Sequence, residues 1–232
     1  MVGQPEIFDW PATLSPTDIS IRAPSKTVGL TTSVNESVQA VPSIRPPFRM
    51  TLEFETLFGP EVLAWRAMIA SLEGRANRLR IPLFDMWFAA RDRQIAAGLA
   101  PHSDGTGFSD GALYATSDVE GVTVTGVQGQ RTITADFSGY AGADLDALLQ
   151  AGLYFGLHDQ PYIATAVAWA DSVATIRCSP TLRIDYVDQP LRLRPVMIAG
   201  LTDDEGGELT LKRGRWGGPT LELVERFDGP LP

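Results

Sequence analysis

The sequence predicts a mainly β protein: a β-sandwich-like N-terminal domain carrying one covering helix, plus a second, inserted β domain. Three observations predict it. Short runs of alternating apolar and polar residues recur along the chain, and 22 glycines and 17 prolines stand singly between them, as turns between many short strands require. Only one stretch, between Gly59 and Gly74, has strong helical periodicity. At 232 residues the chain is long enough for one large β domain or two smaller ones, each with a proper core.

In chain order, Ile19 and Ile21 alternate with polar neighbours, as do Val28 and Leu30. Met50, Leu52 and Phe54 share one face of a third strand, with Thr51, Glu53 and Glu55 on the other. Between them, Arg45-Pro46-Pro47 marks a boundary or an edge, because proline cannot donate to a sheet ladder. The helix starts at Gly59-Pro60-Glu61, with proline at the first helical position and an acid against the positive end of the helix dipole. Val62, Trp65, Ile69 and Leu72 form its apolar stripe, and Gly74 is a left-handed stop. A turn and a short strand with Leu79, Ile81 and Leu83 follow.

The pattern weakens from Met86 to about Asp118, where Gly98 to Gly111 reads as a long polar loop. Asp104 to Asp110 superficially suggests a calcium loop but lacks the alternating acidic ligands and closing glutamate. A second β region runs from about Val119 to Ile198. Val122, Val124 and Val127 precede Ile133, Ala135 and Phe137, and Asp144 to Gln150 makes one or two helical turns. Leu153, Phe155 and Leu157 alternate, and Tyr162–Val167 and Val173–Cys178 make a hairpin. The final segment reads as another hairpin, with Glu208–Lys212 and Leu221–Glu225 as arms. This hairpin is expected to return to the N-terminal sheet, so that the expected domains are 1–85 with 205–232, a linker at 86–118, and an outer domain at 119–204.

The net charge of −9 argues against a nucleic-acid partner, since phosphate binding needs a concentrated positive field. The basic run at Arg75, Arg78 and Arg80 is short and interrupted, and reads as a solvated turn or a subunit contact. A single cysteine, Cys178, removes disulfide frameworks and multi-cysteine zinc sites, and the two histidines, His102 and His158, lie in no motif that pairs with it. No catalytic residue, metal or cofactor is expected. No signal peptide and no membrane-length apolar run is expected either, which points to assembly in cytoplasm.

Three stretches taken together resemble phage and prophage minor tail proteins of the distal-tail type. They are Phe8-Asp9-Trp10-Pro11 through Pro16; Leu72-Glu73-Gly74-Arg75-Ala76-Asn77-Arg78-Leu79 leading to Pro82-Leu83-Phe84-Asp85; and Ala151-Gly152-Leu153-Tyr154-Phe155 with Tyr162, Ser179-Pro180-Thr181-Leu182-Arg183 and Leu221–Glu225. The resemblance spans most of the chain outside residues 86–118, and its specificity lies in the order of the stretches. It implies an N-terminal domain forming a ring, commonly of six copies, that joins the tail tube to the hub and tip proteins in the virion, with a second domain projecting outward. The long polar insert departs from that pattern. Phe8, Trp10, Arg75 and Arg78 are the candidate subunit-interface residues, and capping of the chain's own core is the equal alternative for Phe8 and Trp10.

Two other classes remain open. One is a carbohydrate- or receptor-binding β module, using some of five tryptophans and five tyrosines. The other is an enzyme with a carboxylate pair among Asp144, Asp146, Asp159, Asp171, Asp185 and Asp188, although most of these sit at predicted turns, where aspartate serves the backbone.

Overall fold

The computed structural model describes residues 4–25, 27–32, 38–43, 45–84, 99–100, 114–115, 118–138, 145–211 and 216–227. In chain order the strands begin with β1 (Ile7–Asp9), β2 (Asp18–Arg22), β3 (Thr27–Thr32), β4 (Val38–Pro42), β5 (Arg49–Glu53), β6 (Leu57–Phe58) and β7 (Arg78–Pro82). Then come β8 (Leu99–Ala100), β9 (Tyr114–Ala115), β10 (Asp118–Gly126), β11 (Thr132–Asp136), β12 (Tyr154–Leu157), β13 (Gln160–Ala170) and β14 (Val173–Ser179). After these follow β15 (Tyr186–Arg192), β16 (Val196–Leu201), β17 (Trp216–Gly217) and β18 (Thr220–Glu225). The helices are α1 (Pro60–Leu72) and a single turn, α2 (Leu145–Leu148). The protein is mainly β. Among the described residues, no helix is long and apolar enough to cross a membrane.

The chain divides into two compact units, the first made of Met1–Pro24, Pro47–Phe84 and Val196–Pro232, the second of Ser25–Pro46 and Asp85–Pro195. The first is built on a six-stranded sheet ordered β1-β7-β16-β18-β5-β2. Only β1 runs parallel to its neighbour, pairing Phe8 with Leu79. The alternation read in β5 places Met50 and Leu52 in the core, and in β18 it places Leu221 and Leu223 there.

Helix α1 starts where proline at its first position needs no N–H partner, and it ends through two successive left-handed residues, Glu73 and Gly74. Its buried stripe is Val62, Trp65, Met68 and Leu72, with Ile69 half-buried beside it. The Trp65 indole N–H donates to the Gly207 carbonyl at 3.0 Å, and its ring meets Phe54 edge-on at 5.1 Å. Gly207 has φ +85°, and a Cβ there collides with Ile69 Cδ1. Gly207→Ala is therefore expected to destabilise the first unit by about 2–3 kcal/mol, through backbone strain and overpacking together. Urea unfolding followed by tryptophan fluorescence checks this.

Two features of this unit differ from the sequence expectation. Residues 208–211 form no strand, although Leu209 and Leu211 alternate; they are half-buried, and the Thr210 carbonyl lies against the backbone of Gly217. The partner of β18 is instead β16, which also pairs with β7. Strand β16 had been placed in the outer domain, yet its run Val-Met-Ile-Ala-Gly-Leu is buried almost throughout, as a strand covered on both faces must be. Trp216 and Gly217 form a short ribbon with Phe58 and Leu57.

The second unit contains a closed barrel ordered β10-β11-β14-β13-β12-β15. The predicted 162–178 hairpin is its longest pair, β13 with β14, turning at the left-handed Asp171. Its interior is filled by Val122, Ile133, Phe137, Phe155, Tyr162, Ile176 and Tyr186, and Leu148 and Leu149 around α2 join that core. Val127, grouped with Val122 and Val124 in the sequence reading, lies beyond the end of β10 and is exposed. The unit also includes the β3–β4 ribbon, which the sequence had assigned to the first domain. The polar stretch at Gly98–Gly111 lies outside the described residues except for the two-residue pair β8–β9 nearby.

Candidate functional site

Three of the four residues singled out from the sequence gather on the β1–β7 pair. Phe8 is half-buried opposite Leu79, and Arg78 stands opposite Ile7. Just after β1, the Trp10 amide donates to the Arg80 carbonyl at 3.0 Å, which continues the pairing. The Trp10 indole donates to the Leu14 carbonyl at 2.8 Å; its ring stacks on Phe54 at 6.3 Å and meets Phe84 edge-on at 5.5 Å. The proline-flanked arm is thus held by the core of its own unit.

Arg78 is 7% exposed. Its Nη1 donates to the carbonyls of Arg75, Ala76 and Asn77 at 2.8, 3.1 and 2.9 Å, closing the turn between α1 and β7. Arg75 is exposed, and its backbone N–H donates to Asp204 Oδ1. A groove of about 390 Å³ lies beside the Trp10 segment, lined in part by Asp9, Trp10, Arg80 and Phe84. The exposed Asp9–Arg80 ion pair spans 3.3 Å at its rim, and Phe84 carries a left-handed φ of +42°. Periodicity gave no hint of the groove, because it is lined by residues 9–15, residues 80–84 and Val196, which are far apart in sequence.

In the second unit three of the acids singled out from the sequence have local partners. Asp185 accepts the Gln128 backbone N–H at 2.7 Å, Asp188 bonds Thr125 Oγ1, and Asp159 lies 3.6 Å from Arg192. Asp171 occupies a turn, and Asp144 lies outside the described residues, as does His102. The His158 imidazole is held below its ordinary pKa, mainly by burial, against an opposing pull from Asp159. Among the described residues no group of three histidine, cysteine or acidic side chains is placed to hold a metal ion.

Tyr162 and Tyr186 bring their hydroxyls within 2.9 Å of each other, and both reach Gln160 Oε1 at 3.2 and 3.1 Å. The Arg183 backbone N–H donates to the Tyr162 hydroxyl at 3.3 Å, and the Arg183 guanidinium carbon lies 5.6 Å from the Tyr162 ring centre. Burial raises the pKa of both phenols. Up to about pH 10 folded and unfolded chains both keep these protons, so the pair leaves stability unchanged; above it the unfolded chain releases them first and stability falls. Alkaline difference spectroscopy is expected to show two tyrosines that ionise only as the barrel opens.

Cys178 is buried in β14, and burial pushes its thiol up to about 11. At pH 8 only about one thiol in a thousand is then a thiolate. Labelling with a thiol-reactive disulfide is expected to be slowed at least tenfold relative to urea-unfolded chain; equal rates would mean the thiol is accessible.

The β3–β4 ribbon of the second unit carries Val28, Leu30, Val38 and Val41, all exposed, of which the sequence had singled out only Val28 and Leu30, as a strand. In the first unit Phe58 and Leu63 are exposed at the start of α1. No family model matches this sequence, and no curated protein does.

Proposed function

We propose that this chain is a structural protein of the distal tail of a long-tailed bacteriophage, a subunit of a cyclic ring of six copies that joins the tail tube to the hub and tip proteins. The resemblance of its three ordered stretches supports this. The observation that carries the reading is the set of uncovered edges and side chains that each unit separately offers to neighbouring subunits. The six-stranded sheet ends on β1 and β2, whose outer edges have no partner among the described residues, and the β3–β4 ribbon presents aliphatic side chains outward. Unpaired edges and uncovered apolar ribbons are hazards for a solitary protein and docking surfaces for an assembled one. The barrel inserted between β7 and β16 suits the outward-projecting second domain that the resemblance implies.

The test is direct. Gold-labelled antibody against this chain should mark the tail end of purified virions, and the purified chain should bind the tail tube protein. Saturable binding of an oligosaccharide by the isolated monomer, with no virion labelling, would replace this reading with a carbohydrate-binding module.

A further inference from the structure

The groove beside the Trp10 segment lies wholly within the first unit, apart from the carbonyls that Arg78 serves. We infer that it is a binding site for a neutral saccharide of about one or two rings. A ring subunit and a solitary protein could equally carry such a site, so it does not depend on the tail-ring reading.

The sheet register builds one side of the groove. Asp9 pairs with Arg80, Pro82 follows Arg80 by two residues, and Val196 pairs with Pro82, so all four stand on one face. Leu79 and Ile81, between them, are buried on the other face. Just past β1, the Trp10 ring lines the groove in a fixed orientation: its N–H donates to the Leu14 carbonyl at 2.8 Å, and Phe84 meets it edge-on at 5.5 Å. Both aromatic residues are half-buried, which leaves ring surface for a ligand without rearrangement. Phe84 holds a left-handed φ of +42°, a conformation that bulky residues rarely adopt and that gathers at ligand sites.

Charge and shape select the ligand. Asp9 and Arg80 are exposed and lie 3.3 Å apart, so an acceptor and a donor stand side by side with no net charge between them. An anion is repelled by Asp9 and a cation by Arg80, so a ligand of either sign gains little from the pair. A wholly apolar ligand would strip water from both groups and return no hydrogen bond. A saccharide answers both halves of the groove. Adjacent hydroxyls donate to the carboxylate and accept from the guanidinium in charge-assisted hydrogen bonds, while the C–H face of the sugar rests on aromatic surface. The volume of about 390 Å³ lies near the small end of the roughly 300–1,000 Å³ of ligand sites, which sets the length at about one or two rings.

The experiment uses the full-length chain with cellotriose and maltotriose as neutral probes. Trigalacturonate, the glucosamine trimer and a proline-rich hexapeptide serve as probes of other chemistry. Saturation-transfer NMR titrations should show saturable binding of at least one neutral trimer, with Kd of about 1 mM or tighter, and weaker binding of the other three. Asp9→Ala/Arg80→Ala should weaken that binding at least tenfold, and Ala12→Trp, which fills the groove from an exposed position, should abolish it. An exposed ion pair contributes little to stability, so the paired alanine variant should melt within about 2 °C of wild type. If it unfolds instead, Ala12→Trp alone decides the location. No binding of either neutral trimer, undiminished binding in a folded variant, or equal or tighter binding of a charged trimer or the peptide each overturns the saccharide site. The tail-ring reading is decided separately: unlabelled virions overturn it whatever the sugars do, and a silent sugar titration leaves labelled virions standing.

Discussion

Trp65→Ala is expected to lower the stability of the first unit by about 4 kcal/mol, close to the whole stability of many small domains. The indole is 1% exposed and fills the space between α1 and the sheet, against Phe54. Truncation leaves a large cavity that the surrounding strands cannot fully close, and it leaves the Gly207 carbonyl without its 3.0 Å donor. Trp65→Phe keeps a six-membered ring but loses the N–H and part of the filled volume, so a smaller loss of about 2 kcal/mol is expected. Urea titration by far-ultraviolet circular dichroism measures both. Equal midpoints for wild type and Trp65→Ala would show that the helix does not stabilise the sheet.

The second large effect is expected at Arg183, in the barrel unit. Its side chain is 2% exposed; Nη2 donates to the Pro46 carbonyl at 3.3 Å, and the guanidinium lies over Tyr162. The Arg183 carbonyl accepts from Arg45 Nη2 at 3.2 Å and from Gln128 Nε2 at 2.8 Å. Two arginines thus tie residues 45–46, at the foot of the ribbon, to the turn after β14. Arg183→Ala removes a desolvated cation–π contact and strands a buried carbonyl, so a loss of about 2–4 kcal/mol is expected. Arg183→Met restores volume and should recover about 1 kcal/mol of it. Thermal unfolding followed through near-ultraviolet tyrosine dichroism reads the barrel specifically, and an unchanged midpoint for the alanine variant would rule out the tie.

Local patterns carried well into the fold. The boundaries of α1 followed from Pro60 and Gly74, and the period-two alternation at Met50–Leu52 and Leu221–Leu223 found the buried faces of β5 and β18. Both signals are written within a few consecutive residues. Closure of the barrel was not legible, because it depends on β15 pairing with both β10 and β12, and those partners are far apart in sequence. The placement of β16 was missed for a related reason. A continuously apolar run states that a strand is buried but not which sheet buries it. The alternation at Leu209 and Leu211 misled because half-buried coil repeats the same pattern without ladder bonds. Of the candidate residues, Arg78 could have been read as a cation that serves the carbonyls of the turn just before it. The exposure of Val28 and Leu30 could not have been read, since a strand's alternation does not say whether anything covers its apolar face.

The register of the first sheet has an evolutionary corollary. Pro82 sits opposite Val196 where the chain leaves for the barrel and returns, and Arg22 sits opposite Arg49 on either side of the ribbon. Both excursions depart from and rejoin directly paired positions on antiparallel neighbours, where a tight turn of a few residues could have stood. The chain thus leaves the first unit for the second at two paired positions, and among the described residues no strand of the second unit pairs with the six-stranded sheet. Such a scaffold lets a lineage lengthen, shorten or swap its outer decoration while inheriting the six strands unchanged.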